Sequence, residues 1–216
     1  MNEKETNITE QLSSQVGDTT QASNEKVAEE VRKQPKLLED IVKALKSKDS
    51  KLAGDAAEVI TMVAQKAPEL VEKYAKALIE QIDHKTTRVR WEVMHALSLI
   101  ADRVPREIDK VYHKLEEIMK SDKSIIVRDY VTDLFGKYAS VGKKEAEKAF
   151  KTLKENLHQW EERHASRVME GLMVVYRSWP DSKAELQQIA AKYSESTKAT
   201  IKKTAKKLAK ELKIKN

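Results

Sequence analysis

Three of the five histidines follow a glutamate by three residues, a spacing that is typical of metal ligands on a helix. The pairs are Glu92 with His95, Glu155 with His158, and Glu161 with His164. On a continuous helix, residues three apart lie on one face, so each pair can offer a carboxylate and an imidazole to one ion. Glutamate is abundant in this chain, however, and the repeats described below send the three pairs to different places. We therefore predict no metal site and no cofactor.

Trp91 and His95 form a second candidate for chemistry, because they lie one helical turn apart on a face that the helical pattern turns outward. The same positions one repeat further along the chain hold Asp129 and Asp133. His95 beside Asp133 is either a proton-transfer pair or a surface salt bridge, and the salt bridge is the commoner arrangement. A tryptophan aimed at solvent is costly unless it binds something. The pattern therefore favours a binding surface; the alternative is that Trp91 packs between repeats.

The composition excludes several classes of protein. The chain has 216 residues, no cysteine and only five glycines. Without cysteine there is no disulfide scaffold, zinc ribbon or thiol nucleophile, and a reducing compartment such as the cytoplasm fits best. Five glycines leave little room for phosphate-binding loops, and no stretch approaches the roughly 18 apolar residues of a membrane span. The Gly-x-Ser-x-Gly and His-Glu-x-x-His motifs are also absent from the sequence, so we expect no hydrolase.

The candidate residues are positioned by amphipathic helices that recur with a nearly constant period. Segments that start at Leu52, Val89 and Val127 superpose, with apolar residues four, seven, eight and eleven positions after each anchor. Ala165 and Ile201 continue the series, so that the anchors lie 36 to 38 residues apart. This spacing of apolar residues is that of one buried helix face.

Each anchored helix follows another amphipathic helix, so the repeating unit is a helical hairpin. Three of the preceding helices begin at Pro35, Pro68 and Pro105, where the missing backbone N–H loses no hydrogen bond. We predict about five hairpins in a single repeat domain over residues 25–216. Their approximate ranges are 35–66, 68–103, 105–141, 143–179 and 182–213.

Residues 1–24 precede the repeats and are rich in Ser, Thr, Asn, Gln and acids. Such a composition buries too little apolar surface to fold, so we predict a disordered polar tail. Ile8, Leu12 and Val16 recur every four residues within it. The alternative is a short helix that docks on a partner through this apolar stripe.

Two of the second helices open with the same dipeptide, and an aspartate lies in the turn before each. The residues are Val89-Arg90 with Asp83, and Val127-Arg128 with Asp122. In this pattern the chain resembles the HEAT and armadillo class of α-solenoid. The resemblance implies an all-α, right-handed solenoid in which such aspartates and arginines pair between neighbouring repeats. It therefore implies structural roles for Arg90, Arg128, Asp83 and Asp122.

In solenoids of this class the second helices line the concave surface, so positions opposite the buried face are expected to form a groove. Two positions in each repeat meet this condition. The first gives Gly54, Trp91, Asp129, Arg167 and Lys203, and the second gives Glu58, His95, Asp133, Gly171 and Lys207. We predict a binding groove that consists of Trp91, His95, Asp129, Tyr130, Asp133 and Arg167.

The last predicted helix carries lysines on the side opposite its apolar face. They are Lys202, Lys203, Lys206, Lys207 and Lys210. The terminal helix of a solenoid needs a polar outer face because no further repeat covers it. The alternative is a surface that attracts phosphates or an acidic partner. No aromatic residue interrupts these lysines, so base stacking is not expected there.

The sequence predicts a scaffold or adaptor that holds a protein partner in this groove and catalyses no reaction, as a cytoplasmic monomer without membrane contact. The alternative is a nucleic-acid-binding solenoid that uses Arg167 and the terminal lysines. The string from Trp91 to His95 is similar to the Trp-Asp-x-x-Asp stretch of HEAT-like alkylpurine DNA glycosylases, which implies DNA repair. His95 stands where those enzymes have a carboxylate, so Asp129 or Asp133 would have to replace it.

Overall fold

The computed structural model describes residues 7–213, and every regular element among them is a helix. The prediction of an all-α protein is confirmed. The chain divides into two compact units between Ile100 and Ala101, within the single repeat domain that the sequence predicts. We call the part up to Ile100 unit 1 and the part from Ala101 onwards unit 2.

Unit 1 has two layers of helices. Its helices are α1 (Ser13–Val16), α2 (Ala22–Lys33), α3 (Leu38–Ala44), α4 (Ser50–Lys66), α5 (Pro68–Val71), α6 (Ala75–Ile79) and α7 (Thr87–Ile100). Helix α4 packs against both α2 and α7, so these three form the layer of second helices. Helix α3 packs against α4, and the short α5 and α6 pack against α7, so they form the layer of first helices.

Residues 7–24 differ from the predicted disordered tail, because they fold against the rest of unit 1. Ile8 and Leu12 are 3% and 0% exposed, whereas Val16 remains exposed. A short 3-10 helix, Ile8–Gln11, contacts α2 and α3, and α1 contacts α4. Two apolar side chains and a set of hydrogen bonds to α4 are therefore enough to order this polar segment. The part of the predicted tail from residue 1 to residue 6 lies outside the described residues.

Unit 2 repeats the hairpin arrangement. Its helices are α8 (Pro105–Lys110), α9 (Tyr112–Ser121), α10 (Ile125–Tyr138), α11 (Lys143–Asn156), α12 (Ala165–Ser178), α13 (Lys183–Ser194) and α14 (Ala199–Glu211). Helix α12 packs against α10 and α14, which makes these three the second helices of unit 2. Helices α9, α11 and α13 pack against α10, α12 and α14 respectively as the first helices.

The apolar periodicity of the sequence corresponds to the buried faces of the second helices. Of the 25 positions in the repeating pattern, all except Leu52 and Ala209 are buried. In unit 2 the core also contains an aromatic group in which the ring of Tyr112 lies 4.9 Å from Phe135 and 5.7 Å from Tyr138, measured between centroids. Burial of these side chains stabilises a hairpin only when it is stacked on its neighbours.

Two glycines that the sequence places in the groove are buried between helices instead. A Cβ atom added to Gly54 on α4 would lie 3.2 Å from the side chain of Arg88. Gly171 on α12 packs against Gly136 on α10, where an added Cβ on Gly136 would lie 3.0 Å from the Gly171 Cα. These positions let neighbouring second helices approach closely, and they leave no side chain to line a groove.

Candidate functional site

The predicted groove residues fall in both units, so Trp91 and His95 belong to unit 1 and the remaining four to unit 2. Trp91 and His95 lie on α7 and are each partly exposed, so Trp91 is neither fully solvated nor packed away. The indole N–H of Trp91 donates a hydrogen bond of 2.8 Å to the Glu92 carboxylate. Burial raises the pKa of Glu92 above its ordinary value, although this bond lowers it in part.

A second group of polar residues in unit 1, which the sequence analysis does not identify, surrounds Asp55 on α4. We call Ser14, Asn24, Asp55, Glu58 and Arg88 the Asp55 cluster. The Asp55 carboxylate accepts from the Ser14 backbone N–H at 2.8 Å, from Asn24 Nδ2 at 3.1 Å and from Arg88 Nη2 at 2.8 Å. Glu58 accepts from Asn24 and Arg88 at 2.7 and 3.0 Å. The cluster therefore joins α2, α4 and α7.

Hydrogen bonds determine the charge state of the Asp55 cluster. Burial alone would raise the pKa of Asp55, whose side chain is 2% exposed. The bonds from Ser14, Asn24 and Arg88 outweigh burial and hold the pKa of Asp55 below its ordinary value. Asp55 is therefore a charged, fully bonded acceptor whose partners are all structural.

The four groove residues of unit 2 lie near residues that the sequence analysis does not assign to the groove. We call Arg128, Asp129, Asp133, Trp160, His164 and Arg167 the His164 cluster. Arg167 on α12 pairs with Asp133 and lies 3.4 Å from Asp129, both of which are on α10. Burial raises the pKa of Asp133 above its ordinary value, and the pairing with Arg167 only partly offsets this. Tyr130, the fourth predicted residue, is partly exposed on α10.

His164 links the two sides of this cluster and is itself only 4% exposed. Arg128 Nε donates to His164 Nε2 at 3.1 Å. Nε2 must therefore be the acceptor nitrogen, so the ring proton is on Nδ1 and is donated to Asp129 at 2.8 Å. A continuous chain of hydrogen bonds and ion pairs thus runs from Arg128 through His164 and Asp129 to Arg167.

Trp160 covers Arg128, at one end of this chain of hydrogen bonds. Its ring lies over the Arg128 guanidinium, with 3.7 Å between the ring centroid and Cζ, while 40% of the residue stays exposed. Trp160, Glu161 and Glu162 have φ angles of 51°, 55° and 62°, which is the left-handed region that side chains other than glycine rarely adopt. Lys198 donates to the Glu161 carbonyl and so braces the turn from the start of α14. Strained turns of this kind cluster at ligand-binding sites.

The arginines for which the resemblance implies structural roles bond to the loops that precede their own helices. Arg90 donates to the His84 carbonyl at 2.9 Å, and Arg128 donates to the Asp122 carbonyl. The Asp122 carboxylate accepts from the Ser124 backbone N–H at 2.7 Å. Asp83 lies exposed in the turn before α7. Arg88 and Arg167 also bridge neighbouring second helices, in the Asp55 and His164 clusters.

The five lysines of the predicted basic patch are all exposed on α14. None of them forms an ion pair within residues 7–213. The acid on the same helix, Glu211, pairs instead with Arg177 at 2.8 Å, and this hydrogen bond lowers the pKa of Glu211. The lysine face therefore carries positive charge that described residues do not neutralise.

Only one of the three Glu-x-x-His pairs lies on a single helix. Glu92 and His95 lie on α7, but Glu155 is on α11 and His158 lies beyond the end of that helix. Glu161 and His164 are separated by the left-handed turn, so the helical spacing assumed for a metal site does not apply to them. Within residues 7–213, no group of three His, Cys, Asp or Glu side chains lies close enough to hold a metal ion. Over the same range, no helix is long and apolar enough to cross a membrane.

No protein-family model and no curated protein sequence matches the chain. Solved structures do match its fold. A designed armadillo repeat protein in complex with peptide (KR)4 superposes with a TM-score of 0.67 at 15% identity, over 95% of this chain and 98% of that chain. Computationally designed armadillo repeat proteins for modular peptide recognition superpose with a TM-score of 0.67 at 14% identity, over 94% and 98%.

The chain has the armadillo-type repeat fold. The prediction of an all-α solenoid of HEAT- or armadillo-type hairpins is therefore confirmed. A further match is an engineered protein with a TM-score of 0.67 and 16% identity; it covers 96% of this chain, which spans 58% of that protein's length. At these identities the similarity defines the fold of the chain and no more.

Proposed function

We propose that this armadillo-type chain is a scaffold that binds a protein partner, which lies as an extended segment along the second helices of unit 2. The observation that carries the proposal is Trp160, which is 40% exposed and held flat on Arg128. A rigid indole with one face free is the usual anchor of a protein interface, because it buries a large area with little loss of side-chain entropy.

The charged residues of the His164 cluster would determine which residues of a bound segment lie beside Trp160. The ion pair between Arg167 and Asp133 is about one-third exposed on each side, so it stays accessible from solvent. The raised pKa of Asp133 shows that burial is not fully offset by Arg167, so a donor on the partner would further stabilise the carboxylate. The designed armadillo repeat proteins of similar fold, one in complex with peptide (KR)4 and others made for modular peptide recognition, add support for a peptide ligand.

In unit 1, Trp91 offers a second anchor of the same kind. Its indole is partly exposed on α7, one turn before His95. Asp55 and Glu58 of the same unit are occupied by Arg88 and Asn24, so a partner bound to unit 1 at Trp91 would make mainly apolar contacts.

The test is selection of random displayed peptides on the intact protein, followed by calorimetry of the enriched sequences with Trp160→Ala. Loss of a buried tryptophan anchor is expected to weaken binding by about 2 kcal/mol, roughly thirtyfold. Val141→Ala is the matched control, because Val141 is 39% exposed and lies outside the His164 cluster. Circular dichroism confirms that both variants fold. Equal binding by Trp160→Ala and the wild type, or no enriched peptide, would contradict the proposal.

A second candidate is nucleic-acid binding through the lysine face of α14, which is favoured by five exposed lysines that form no ion pair within residues 7–213. Arg167, the other residue of that hypothesis, is already paired with Asp133 and Asp129. A duplex mobility shift in a salt series tests it. Replacing Lys203 and Lys207 by Gln is expected to lower the salt slope by about 2, since each lost phosphate contact lowers it by about 1. An unchanged slope would remove this candidate.

A further inference from the structure

A cavity of about 740 Å³ opens on the first helices of unit 2, away from the residues of the His164 cluster. It lies between α11 and α13, and Trp179 closes it at the turn between α12 and α13. We call it the first-helix cavity. Its volume falls in the range of small-molecule sites, which is roughly 300–1,000 Å³.

The floor of the first-helix cavity is aromatic and apolar. Phe150 and Trp179 meet edge to face, with 5.6 Å between ring centroids and 80° between ring planes. Leu157, Ile189 and Tyr193 complete the floor and are all less than 10% exposed. Such a floor favours a flat apolar ligand.

The rim of the first-helix cavity carries three acids, each of which has a lysine partner. Lys154 pairs with Glu185, and Lys120 lies 3.3 Å from Glu155. The third acid, Glu147, lies 3.9 Å from Lys143.

Two further rim lysines have no such partner. Neither Lys151 nor Lys192 forms an ion pair with any residue between 7 and 213. Lys192 Nζ lies 5.4 Å from the Tyr193 ring and so projects beside the floor. The charge of the rim that is not neutralised within unit 2 is therefore positive.

The Tyr193 hydroxyl adds a polar group to this floor. Burial raises the pKa of Tyr193, with a smaller contribution from Glu162, so the phenol stays protonated at neutral pH. It makes no hydrogen bond to the described part of the chain. A protonated phenol without a partner can donate to an anionic oxygen.

We propose that the first-helix cavity binds a small molecule with a flat apolar body and a carboxylate group. Phe150 and Trp179 hold the flat body, and Lys151, Lys192 and the Tyr193 hydroxyl hold the carboxylate. This site is independent of the peptide surface on the second helices, so either proposal can fail without the other.

The probe is naphthalene carboxylate, titrated into the full-length protein and followed by proton–nitrogen NMR. The Trp179 indole signal, assigned with Trp179→Phe, is expected to shift and saturate. A fragment of this size should bind with a dissociation constant of about 1 mM or below. Naphthalene methanol, which has the same ring system without the charge, is the ligand control and is expected to bind several-fold more weakly.

Two variants test the assigned residues without disturbing the core. The double variant Lys151→Gln/Lys192→Gln is expected to weaken the carboxylate roughly fivefold and to leave naphthalene methanol unchanged. The control Lys202→Gln/Lys206→Gln removes the same charge from α14 and should change neither. Tyr193→Phe should weaken the carboxylate alone, since it deletes only the donor.

Three results would overturn this proposal. One is equal affinity for the carboxylate and the alcohol, which would mean an apolar cleft without an anion site. Another is unchanged carboxylate binding in Lys151→Gln/Lys192→Gln. The third is saturating shifts that map away from Trp179.

Discussion

The Asp55 cluster of unit 1 and the His164 cluster of unit 2 share one kind of bridge and differ in what covers it. In each, an arginine of one second helix meets two acids of the second helix before it. The bridges are Arg88 with Asp55 and Glu58, and Arg167 with Asp129 and Asp133. In unit 1 the N-terminal segment covers the bridge, because Ser14 and Asn24 bond directly to Asp55. In unit 2 the bridge is linked through His164 and Arg128 to the exposed ring of Trp160.

Under the proposed function, this difference separates a bridge that stabilises the fold from one that also contacts a partner. In unit 1 the Asp55 carboxylate is 2% exposed and saturated by donors, so only the Arg88 side of the bridge is open to solvent. In unit 2 both Arg167 and Asp133 are more than one-third exposed, and His164 and Arg128 link their cluster to an exposed indole, so this bridge is accessible to a partner. Under the proposed function, the same pairing of charges would serve two purposes, depending on whether another segment of the chain covers it.

Replacing Asp55 is expected to cause the largest change in stability. Asp55→Ala should lower the free energy of unfolding of unit 1 by about 3 kcal/mol, because Ser14 and Asn24 lose their buried acceptor. Denaturant unfolding and amide hydrogen exchange in α2 and α4 measure the loss. Glu39→Ala removes a carboxylate from an exposed pair with Lys43 and should cost less than about 0.5 kcal/mol. Equal losses would show that the Asp55 cluster adds no stability.

The two buried glycines should respond differently to an added methyl group. Gly136→Ala is expected to cost about 2 kcal/mol, since its Cβ would press on the backbone of Gly171. Gly54→Ala should cost less, because its Cβ would meet only the end of the Arg88 side chain, which can shift by the small distance needed while it keeps its acids, and because alanine favours the helix. Thermal unfolding of both variants measures the difference, and similar losses would mean that the helix spacing is equally rigid in both units.

Relief of the left-handed turn should stabilise unit 2. Glu161→Gly is expected to raise the free energy of unfolding by about 1 kcal/mol, since glycine adopts a φ of 55° without strain. Gln187→Gly, in the middle of α13, is the control and should lose about 1 kcal/mol. Chemical denaturation measures both variants. A loss in Glu161→Gly would mean that the turn is not strained.

The smallest expected effect is the order in which two aspartates titrate. The folded pKa of Asp55 lies below the ordinary value of 3.8, so its contribution to stability is complete above 3.8 and is lost as pH falls through the folded pKa. The folded pKa of Asp133 lies above 3.8, so its charged form opposes folding at neutral pH and this cost disappears as pH falls towards 3.8. As the pH is lowered, carbon-13 NMR of the carboxyl groups should show that Asp133 is protonated before Asp55. The reverse order would refute the assigned environments.

The sequence predicts the hairpins because burial of one helix face leaves a clear period in the apolar residues. It also selects Asp129, Asp133 and Arg167 for the unit 2 surface, since their register follows from the same period. The period is less informative about polar partners. Asn24 and Ser14 lie in a segment whose composition is typical of a tail, and only their bonds to Asp55 show that the segment is ordered.

His164 and Trp160 were not predictable for a different reason. Their positions depend on three successive residues with positive φ, and no glycine or asparagine marks that turn. Without such a signal, the sequence predicts an unbroken helix in which Glu161 and His164 lie on one face. The available signal was the repeat register itself, because Arg128 and His164 are 36 residues apart, close to one period.

The aromatic core of Tyr112, Phe135 and Tyr138 makes the stability of unit 2 sensitive to high pH. Burial raises the pKa of Tyr112 and Tyr138 above the ordinary value of 10.0, so the folded chain retains two protons that the unfolded chain releases. Above pH 10 each further rise therefore favours unfolding. Unit 1 contains a single tyrosine, Tyr74, which is only partly buried. We expect strong base to unfold unit 2 first, with tyrosinate absorbance appearing at the same pH as the loss of helical ellipticity.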